Sequence, residues 1–380
     1  MTKKLLIASA GAGKTYRVAE ECCRLAEDKN RVLVITYTES NQKEIITKCK
    51  SMGIINPNNV IVKGWYTFLL EDLIRPYQAT IFSKRIKGIN FTSSNPHTRR
   101  GRTIPGTAEK IGTQYNSRHF LTSCETKAHT EFLSKLATRI CTASNQKSIA
   151  RLESIYDHIF IDEVQDLAGW DFDIIRFLAR MNTPITCVGD FRQTIYSTTS
   201  NPKQPSTNQQ KLDKFAQLRF EVENMAISRR CIQSICDFSD SLYDGEGYAE
   251  TESLVENIPI EFQEHQGVSV VPKSRQQEYI ETFSPVLLRH SNRSAQDLNP
   301  YAIKKVNFGI SKGLSFDRTL VVPTQNILNF ITGNQNAFDD GSTDKARNSF
   351  YVACTRARYS LAFLVEDGVA ERCALPIWNV

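Results

Sequence analysis

The sequence predicts an α/β protein in which two parallel-sheet domains follow one another along the chain. Short runs of apolar and β-branched residues recur, each ending in small, polar or acidic residues, with amphipathic helical patterns between them. Such runs are typical of strands buried on both faces of a parallel sheet and joined by crossover helices. With 380 residues, of which 41% are hydrophobic and 23% charged, the chain is long enough for two or three globular domains.

The predicted strands fall into two sets. The first set comprises the run near residue 5 and the runs at 31–38, 158–163 and 184–190. The second set comprises the runs at 268–272, 284–290, 319–324 and 360–366. The stretch TYRVAEECCRLAED has the spacing of an amphipathic helix and follows the first strand. This order of strands and helices favours one parallel α/β unit in each half of the chain.

The interval 71–149 predicts an insertion in the first domain. Its middle part, 84–118, is rich in Gly, Ser, Thr and Asn and carries eight Lys or Arg residues against one Glu. The whole chain has a formal net charge of only +6, so this segment holds a large share of the positive excess. For such a cluster taken alone, a solvated basic loop is favoured, and a nucleic-acid contact is the alternative.

Composition excludes several other classes of protein. No window reaches the roughly 18 consecutive apolar residues of a membrane-spanning helix, and the N-terminus turns glycine-rich after a short apolar run. Ten cysteines lie at irregular spacings without any CxxC pair. We therefore expect a cytoplasmic protein with reduced thiols, without a membrane partner and without a cysteine metal cluster.

A phosphate-binding loop follows the first predicted strand. The small residues Ala10, Gly11, Ala12 and Gly13 allow backbone N–H groups to close around phosphate oxygens at the N-terminus of the next helix. Lys14 then reaches the β- and γ-phosphates, and the Thr15 hydroxyl coordinates Mg²⁺. Ala8 replaces the first glycine of the general pattern, but the strand and helix lie where such a loop needs them.

Asp162 and Glu163 end the third strand of the first set. An isolated Asp-Glu pair is usually only a strand end. Together with Lys14 and Thr15 it predicts ATP hydrolysis, with Asp162 positioning Mg²⁺ and Glu163 polarising the attacking water.

Six motifs, in this order, resemble those of UvrD/Rep-like superfamily 1 helicases and span nearly the whole chain. They are Ala8 to Thr15, VITYT at 34–38, DEVQD at 162–166, VGDFRQTIY at 188–196, SKGLSFD at 311–317 and YVACTRAR at 351–358. The resemblance implies two RecA-like domains that bind ATP and Mg²⁺, and translocation 3′→5′ on single-stranded DNA or a tailed duplex. Segments 1–70 and 150–220 would form the first RecA-like domain, 71–149 an inserted 1B-like subdomain, and 221–380 the second RecA-like domain.

The resemblance also implies roles for individual residues. Gln193 matches the position that senses the γ-phosphate, and Arg230 and Arg356 match the catalytic arginines. Gly313 matches a nucleotide-binding position. Arg229 replaces the family's aromatic residue, where it either stacks on the base of the nucleotide or points into solvent. The predicted DNA contacts are Thr36, Tyr37, Trp65, Thr67 and Tyr196, together with Arg99, Arg100 and Arg102 of the basic insertion. For Trp65, core packing is the alternative to base stacking.

The chain departs from the family pattern at several points. Only thirteen residues precede Lys14, where the family places an adenine-reading glutamine, so we expect weak base selectivity. The residues after Tyr196, at 197–200, lack the family's aromatic DNA platform, and Ser315 replaces a glutamate. About twenty residues separate the strand at 285–289 from the motif at 311, so we expect the 2B domain to be absent.

We therefore predict an ATP-dependent DNA translocase or helicase, acting in DNA repair or antiphage defence. The alternative is an ATP-controlled DNA-binding regulatory subunit of a nuclease complex, with little unwinding of its own. Small helicases of this family occur beside OLD-like nucleases in Gabija-type phage defence, and a nuclease partner is suggested only by that analogy. A P-loop kinase is disfavoured because the motifs after Asp190 would then have no purpose.

Overall fold

The computed structural model describes residues 2–53, 59–92, 94–196, 198, 203–339 and 344–378. Contacts between residues divide the chain into two compact units. Unit 1 comprises Met1–Ile7, Lys14–Gly189 and Tyr196–Glu223, and unit 2 comprises Ala8–Gly13, Asp190–Ile195 and Asn224–Val380. The glycine-rich loop at 8–13 and the segment at 190–195 are therefore grouped with unit 2. The residues directly before each of them belong to unit 1.

Unit 1 is built on a six-stranded sheet with the order β12-β1-β11-β10-β2-β3. The pairs β1/β11, β11/β10, β10/β2 and β2/β3 are parallel. The strands of this half are β1 (Lys3–Ala8), β2 (Val32–Thr36), β3 (Val60–Gly64), β4 (Gly88–Asn90), β5 (Thr98–Arg99), β6 (Arg102–Thr103), β7 (Lys110–Ile111), β8 (Gln114–Tyr115), β9 (Lys127–His129), β10 (His158–Ile161), β11 (Ile185–Gly189) and β12 (Glu221–Met225).

The helices of unit 1 follow amphipathic patterns. In α1 the residues Val18, Ala19 and Cys22 are buried, as expected for one face of a helix. Helix α8 begins with a capping box between Thr207 and Gln210. The helices are α1 (Lys14–Glu27), α2 (Glu39–Ser51), α3 (Trp65–Phe68), which a π-helix extends over Leu69–Ile74, α4 (Ser117–Phe120), α5 (Leu133–Ala143), α6 (Lys147–Ile155), α7 (Asp171–Leu178) and α8 (Asn208–Gln217).

Unit 2 contains a five-stranded sheet with the order β15-β19-β18-β16-β17, in which every neighbouring pair is parallel. Its strands are β13 (Ile227–Ser228), β14 (Glu252–Ser253), β15 (Gly267–Pro272), β16 (Val286–Arg289), β17 (Lys305–Asn307), β18 (Phe316–Val321) and β19 (Ala357–Val365). Its helices are α9 (Gln233–Asp240), α10 (Ile260–Gln263), α11 (Gln276–Phe283), α12 (Gln325–Ile331), α13 (Asp344–Cys354) and α14 (Asp367–Ala370).

Packing on both faces of strand β19 explains why its sequence is a continuous apolar run. Leu361, Phe363 and Val365 pack into one hydrophobic cluster of unit 2, whereas Ala362 and Leu364 pack into another. Successive side chains of a strand point to opposite faces, so a sheet covered on both sides needs apolar residues at every position. The predicted α/β class with tandem parallel sheets is confirmed.

Two further findings concern the interval between β16 and β18 and the length of the helices. The interval between β16 and β18 contains one short strand, β17, and 3₁₀ turns at Gln296–Leu298 and Phe308–Ser311. In the described ranges, no helix is long and apolar enough to cross a lipid bilayer.

Candidate nucleotide and nucleic-acid sites

The glycine-rich loop between β1 and α1 requires its glycines. Gly11 and Gly13 have φ angles of +78° and +76°, which L side chains rarely adopt. A Cβ atom on Gly11 would also lie 2.7 Å from the Arg230 Cβ and from the Ser228 Oγ. The Arg229 N–H donates to the Gly11 carbonyl at 3.0 Å. Gly11 thus permits both the left-handed turn and this close approach within unit 2, while the buried Ala10 and Ala12 complete the loop.

Lys14 begins α1 and faces the acidic end of β10. Its Nζ lies 3.9 Å from the Glu163 Oε1, and both side chains are only 12% exposed. Glu163 has a left-handed backbone, with φ of 55°, and its other carboxylate oxygen accepts a hydrogen bond from the Gln165 amide. A non-glycine residue in this conformation is held there by its surroundings and is often functional. Thr15, the next residue of α1, is partly exposed.

Asp162 is the most unusual polar residue of unit 1. Its side chain is buried, and neither carboxylate oxygen has a hydrogen-bond partner among the described residues. Burial, and then the negative charge of Glu163, raise the pKa of Asp162 to about 7, while Lys14 opposes this effect. A buried carboxylate without a partner is costly and favours a cation nearby.

The donor set fits Mg²⁺ shared with phosphate oxygens and water. Within the described ranges, no group of three or more His, Cys, Asp or Glu side chains could hold a metal ion by itself. Magnesium usually binds through one or two protein ligands together with substrate phosphates and waters. The orphaned carboxylate of Asp162 meets this requirement, and Thr15 lies at the N-terminus of the helix that follows the loop.

Thr36 does not lie where a DNA contact would need it. It ends β2, where it pairs with Gly64 of β3 in the parallel register, and is 1% exposed. Its hydroxyl has no hydrogen-bond partner in the described part of the chain. We correct the prediction: Thr36 belongs to the buried carboxyl edge of the sheet, because the strand carries its side chain under neighbouring segments. Tyr37, the next residue, is partly exposed.

Trp65 is also buried, and its predicted base stacking is corrected to core packing. The ring is 1% exposed, and its Nε1–H donates to the Asp171 Oδ1 at 2.9 Å. Asp171 also accepts hydrogen bonds from the hydroxyls of Ser134 and Thr198, so it joins segments far apart in sequence.

The other predicted DNA contacts Thr67 and Tyr196 are accessible: Thr67 is exposed and Tyr196 is 42% exposed. Ser197, Thr199 and Ser200, where the family platform is missing, lie outside the described residues.

Two guanidinium groups meet at Thr355 in unit 2. Arg356 is 1% exposed and donates to the Val352 carbonyl, the Leu314 carbonyl and the Thr355 hydroxyl, at 3.0, 3.0 and 3.2 Å. Burial, and then the positive charge of Arg230, lower the pKa of Arg356 to about 9. Arg230 is partly exposed and donates to the Thr355 carbonyl at 3.3 Å. Arg356 is therefore held by three acceptors, whereas the Arg230 side chain makes one hydrogen bond among the described residues.

The remaining predicted nucleotide residues differ in exposure. Gln193 is 5% exposed, and its amide donates to the Asp190 Oδ2 at 2.9 Å within unit 2. Gly313 lies in an exposed loop with φ of +85°, directly before the residue whose carbonyl binds Arg356. Arg229 is exposed.

Sequence reasoning missed a buried polar network in unit 2. Arg192, 2% exposed, donates to the Asp240 Oδ1 at 2.7 Å and to the Ser9 hydroxyl at 2.8 Å. The Tyr351 hydroxyl accepts a hydrogen bond from the Ala10 N–H at 3.2 Å. The only signal for Arg192 was its position beside Gln193, because its partners lie far away along the chain.

The predicted basic contacts Arg99, Arg100 and Arg102 occupy a β-hairpin. Arg99 pairs with Arg102 across β5 and β6, and Arg100 and Gly101, with φ angles of 51° and 76°, form the turn. Two residues with positive φ form the tight turn that suits paired antiparallel strands. All three arginines are exposed, so the hairpin presents their charge to solvent.

Residues 119–201 match the model of the UvrD/REP helicase N-terminal domain. This segment includes Asp162, Glu163 and Gln193. The match makes this segment similar to that domain family. No curated protein matches the chain.

Among solved structures, the chain is similar to the helicase of an arterivirus, nonstructural protein 10, in a complex with DNA. The identity is 13% and the TM-score 0.46, over 97% of this chain and 62% of that helicase. The chain thus spans less than two thirds of the length of that protein.

Proposed function

We propose that this chain is an ATP-dependent translocase or helicase on single-stranded DNA, with 3′→5′ polarity. The observation that carries the proposal is the carboxyl edge of the unit 1 sheet. There the buried carboxylate of Asp162 has no hydrogen-bond partner among the described residues. The next residue, Glu163, pairs with Lys14, which begins the helix that follows the glycine-rich loop. The UvrD/REP family match over the same strand supports it.

Each residue of this edge has a separate task. Lys14 offsets phosphate charge, and the N–H groups of the loop and of the first turn of α1 bind phosphate oxygens. Asp162 and Thr15 would hold Mg²⁺, which would supply positive charge against the transferred phosphoryl group. Glu163 accepts a proton from the attacking water. The Lys14 Nζ lies 3.9 Å from this carboxylate.

Arg230 and Arg356, at the family's arginine positions, supply positive charge to the transition state. The Arg230 side chain makes one hydrogen bond in the described part of the chain, so we assign it the direct contact with developing phosphate charge. Arg356, held by three acceptors, has the same predicted role and also fixes the loop at Leu314. Gln193 senses the γ-phosphate from its position beside Asp190.

One observation favours the regulatory alternative for duplex DNA. The interval between β16 and β18 contains β17 and two 3₁₀ turns, and this short interval supports the expectation that a 2B domain is absent. We propose that the chain moves on a single strand but separates a duplex poorly without a partner, for which a nuclease is the candidate.

A paired assay tests both parts of the proposal. The purified chain would be given ATP with single-stranded DNA carrying an end-bound streptavidin, and separately with a 3′-tailed duplex. We expect streptavidin displacement from the 5′ end and slow strand separation. Displacement from the 3′ end would overturn the polarity. Rapid, processive unwinding by the chain alone would overturn the need for a partner, while leaving the translocase assignment in place.

A further inference from the structure

Three aromatic rings from three separate segments of unit 1 form a row. Tyr37 follows β2, Tyr66 lies in α3, and Phe91 follows β4 in the inserted segment. The ring centroids of Tyr37 and Tyr66 are 5.9 Å apart, and those of Tyr66 and Phe91 are 6.1 Å apart, both in edge-to-face contact. The row therefore runs from the carboxyl edge of the sheet to the insertion.

Phe91 is the exposed end of this row. It is 74% exposed, although its neighbour Thr92 is tied down by a backbone hydrogen bond to the Thr130 hydroxyl at 3.2 Å. The Tyr66 hydroxyl donates to the Thr198 carbonyl at 2.9 Å, which fixes the ring that supports Phe91. A single exposed aromatic residue needs no explanation. One that a fixed aromatic neighbour holds in place offers a preformed flat surface.

Three exposed cations precede Phe91 in the sequence of the same segment. Lys84, Arg85 and Lys87 lie just before β4, and none of them makes an ion pair with a described residue. The one acid of the basic stretch 84–118, Glu109, pairs with Lys135 and Arg139, at 2.8 and 2.7 Å, and both lie outside that stretch. Among the described residues of the stretch, no acid therefore neutralises Lys84, Arg85 or Lys87.

We propose that Phe91, supported by Tyr66, is a base-stacking site for single-stranded DNA, with Lys84, Arg85 and Lys87 contacting the phosphates beside it. This inference rests on the proposed function and adds a defined subsite to it. An exposed π face in a segment that also carries exposed cations matches a polymer that alternates flat bases with phosphates. In duplex DNA the faces of the bases are covered by their neighbours, so the site should prefer single strands.

The test separates stacking from charge by using two oligonucleotides of equal length. One is oligo-dT, and the other carries abasic sites in place of the bases, so it keeps the phosphates. Phe91→Leu keeps an apolar side chain but removes the π face. We expect it to weaken oligo-dT binding about 5- to 100-fold, the effect of losing roughly one stacked base, and to change abasic binding by less than about twofold. Because Phe91 is exposed, the variant should fold normally.

Two controls make the result decisive. Ile111→Ala removes another exposed apolar residue of the same insertion, 67% exposed, and should leave binding of both oligonucleotides unchanged. Lys87→Gln should weaken both oligonucleotides equally and reduce the salt dependence of binding. Equal loss on both oligonucleotides for Phe91→Leu, or no loss on either, would overturn the stacking site. Tighter binding of wild type to blunt duplex than to oligo-dT would overturn it as well.

The outcome is distinguishable from failure of the proposed function. If wild type binds oligo-dT and hydrolyses ATP while Phe91→Leu binds normally, only the stacking site is wrong. If wild type binds neither oligonucleotide at low salt, the proposed function fails, and the stacking site fails with it.

Discussion

The carboxyl edge of the unit 1 sheet and the basic hairpin of the insertion both carry charge, but in different surroundings. Asp162 is buried at that edge, and its carboxylate has no hydrogen-bond partner among the described residues. Arg99, Arg100 and Arg102 are exposed, and none of them makes an ion pair with a described acidic residue. Both regions carry charge that the described residues do not satisfy. At the buried edge the effective dielectric is low, so charge there shifts pKa values and binds a small ion tightly. In the insertion, salt screens the charges, so they act by releasing counterions from a polyanion. The effects of mutations at the buried edge should therefore depend on pH and on the bound ion, and those of mutations in the insertion should depend on salt concentration.

The largest effect is expected at the buried edge, from Lys14→Ala. Removing this ammonium leaves phosphate charge without its main side-chain partner, so nucleotide affinity should fall about 10- to 100-fold and hydrolysis should nearly vanish. Titration with a fluorescent ATP analogue measures the affinity. Lys14→Arg, which keeps the charge with a different shape, is the matched control. Unchanged affinity in Lys14→Ala would remove the phosphate site from this loop.

Asp162→Asn should change stability and binding in opposite directions. The pKa of Asp162 in the folded protein, about 7, lies above the ordinary value of 3.8, so protonation favours the folded state. The contribution of this carboxyl to stability is complete below 3.8 and is lost as the pH rises through about 7. The neutral amide should therefore stabilise the ligand-free chain at pH 8, on the order of 2 kcal/mol, with little gain at pH 4.

The same variant should bind Mg²⁺ and ATP together more weakly. Chemical denaturation at the two pH values and Mn²⁺ binding in the presence of nucleotide measure the two effects. Asp297→Asn, at a carboxyl whose side chain is 52% exposed, is the control and should show neither. A loss of stability in Asp162→Asn at pH 8 would mean that the carboxylate has a partner in the native protein.

In the insertion, reversing Arg99, Arg100 and Arg102 to Glu should act mainly through salt dependence. Losing up to three phosphate contacts should lower the slope of log affinity against log salt by about 2 on single-stranded DNA. Nucleotide affinity without DNA should not change. A control that reverses Lys273 and Arg275, already paired with Glu366 and Glu278, should bind DNA normally. Equal slopes for the triple variant and wild type would make the hairpin an ordinary solvated loop.

The smallest effect is expected from Thr36→Val. Because the hydroxyl is buried and has no partner among the described residues, removing it should leave DNA affinity within about twofold of wild type and should not reduce stability. Fluorescence anisotropy with labelled oligo-dT measures the affinity, and Thr36→Ser, which keeps the hydroxyl, is the control. Weaker DNA binding in the valine variant alone would restore the original prediction that this hydroxyl contacts DNA.

Local patterns predicted the strands because burial on both faces forces continuous apolar runs, as in β2, β10 and β19. The Lys14–Glu163 pair was predictable for a related reason: loop and strand end meet at one edge of a parallel sheet. The burial of Trp65 was not predictable, since it depends on Asp171, more than a hundred residues away. Neither was the Arg192 network, because Ser9 and Asp240 converge only in the folded chain.

The most direct test of the central claim is hydrolysis of ATP by wild type and Glu163→Gln, with and without single-stranded DNA. We expect wild-type turnover to rise when DNA is added. Glu163→Gln should still bind Mg²⁺ and ATP but hydrolyse about 10²- to 10⁴-fold more slowly, because the amide cannot accept the proton of the attacking water. Hydrolysis by Glu163→Gln at the wild-type rate, or wild-type turnover indifferent to DNA, would contradict the account.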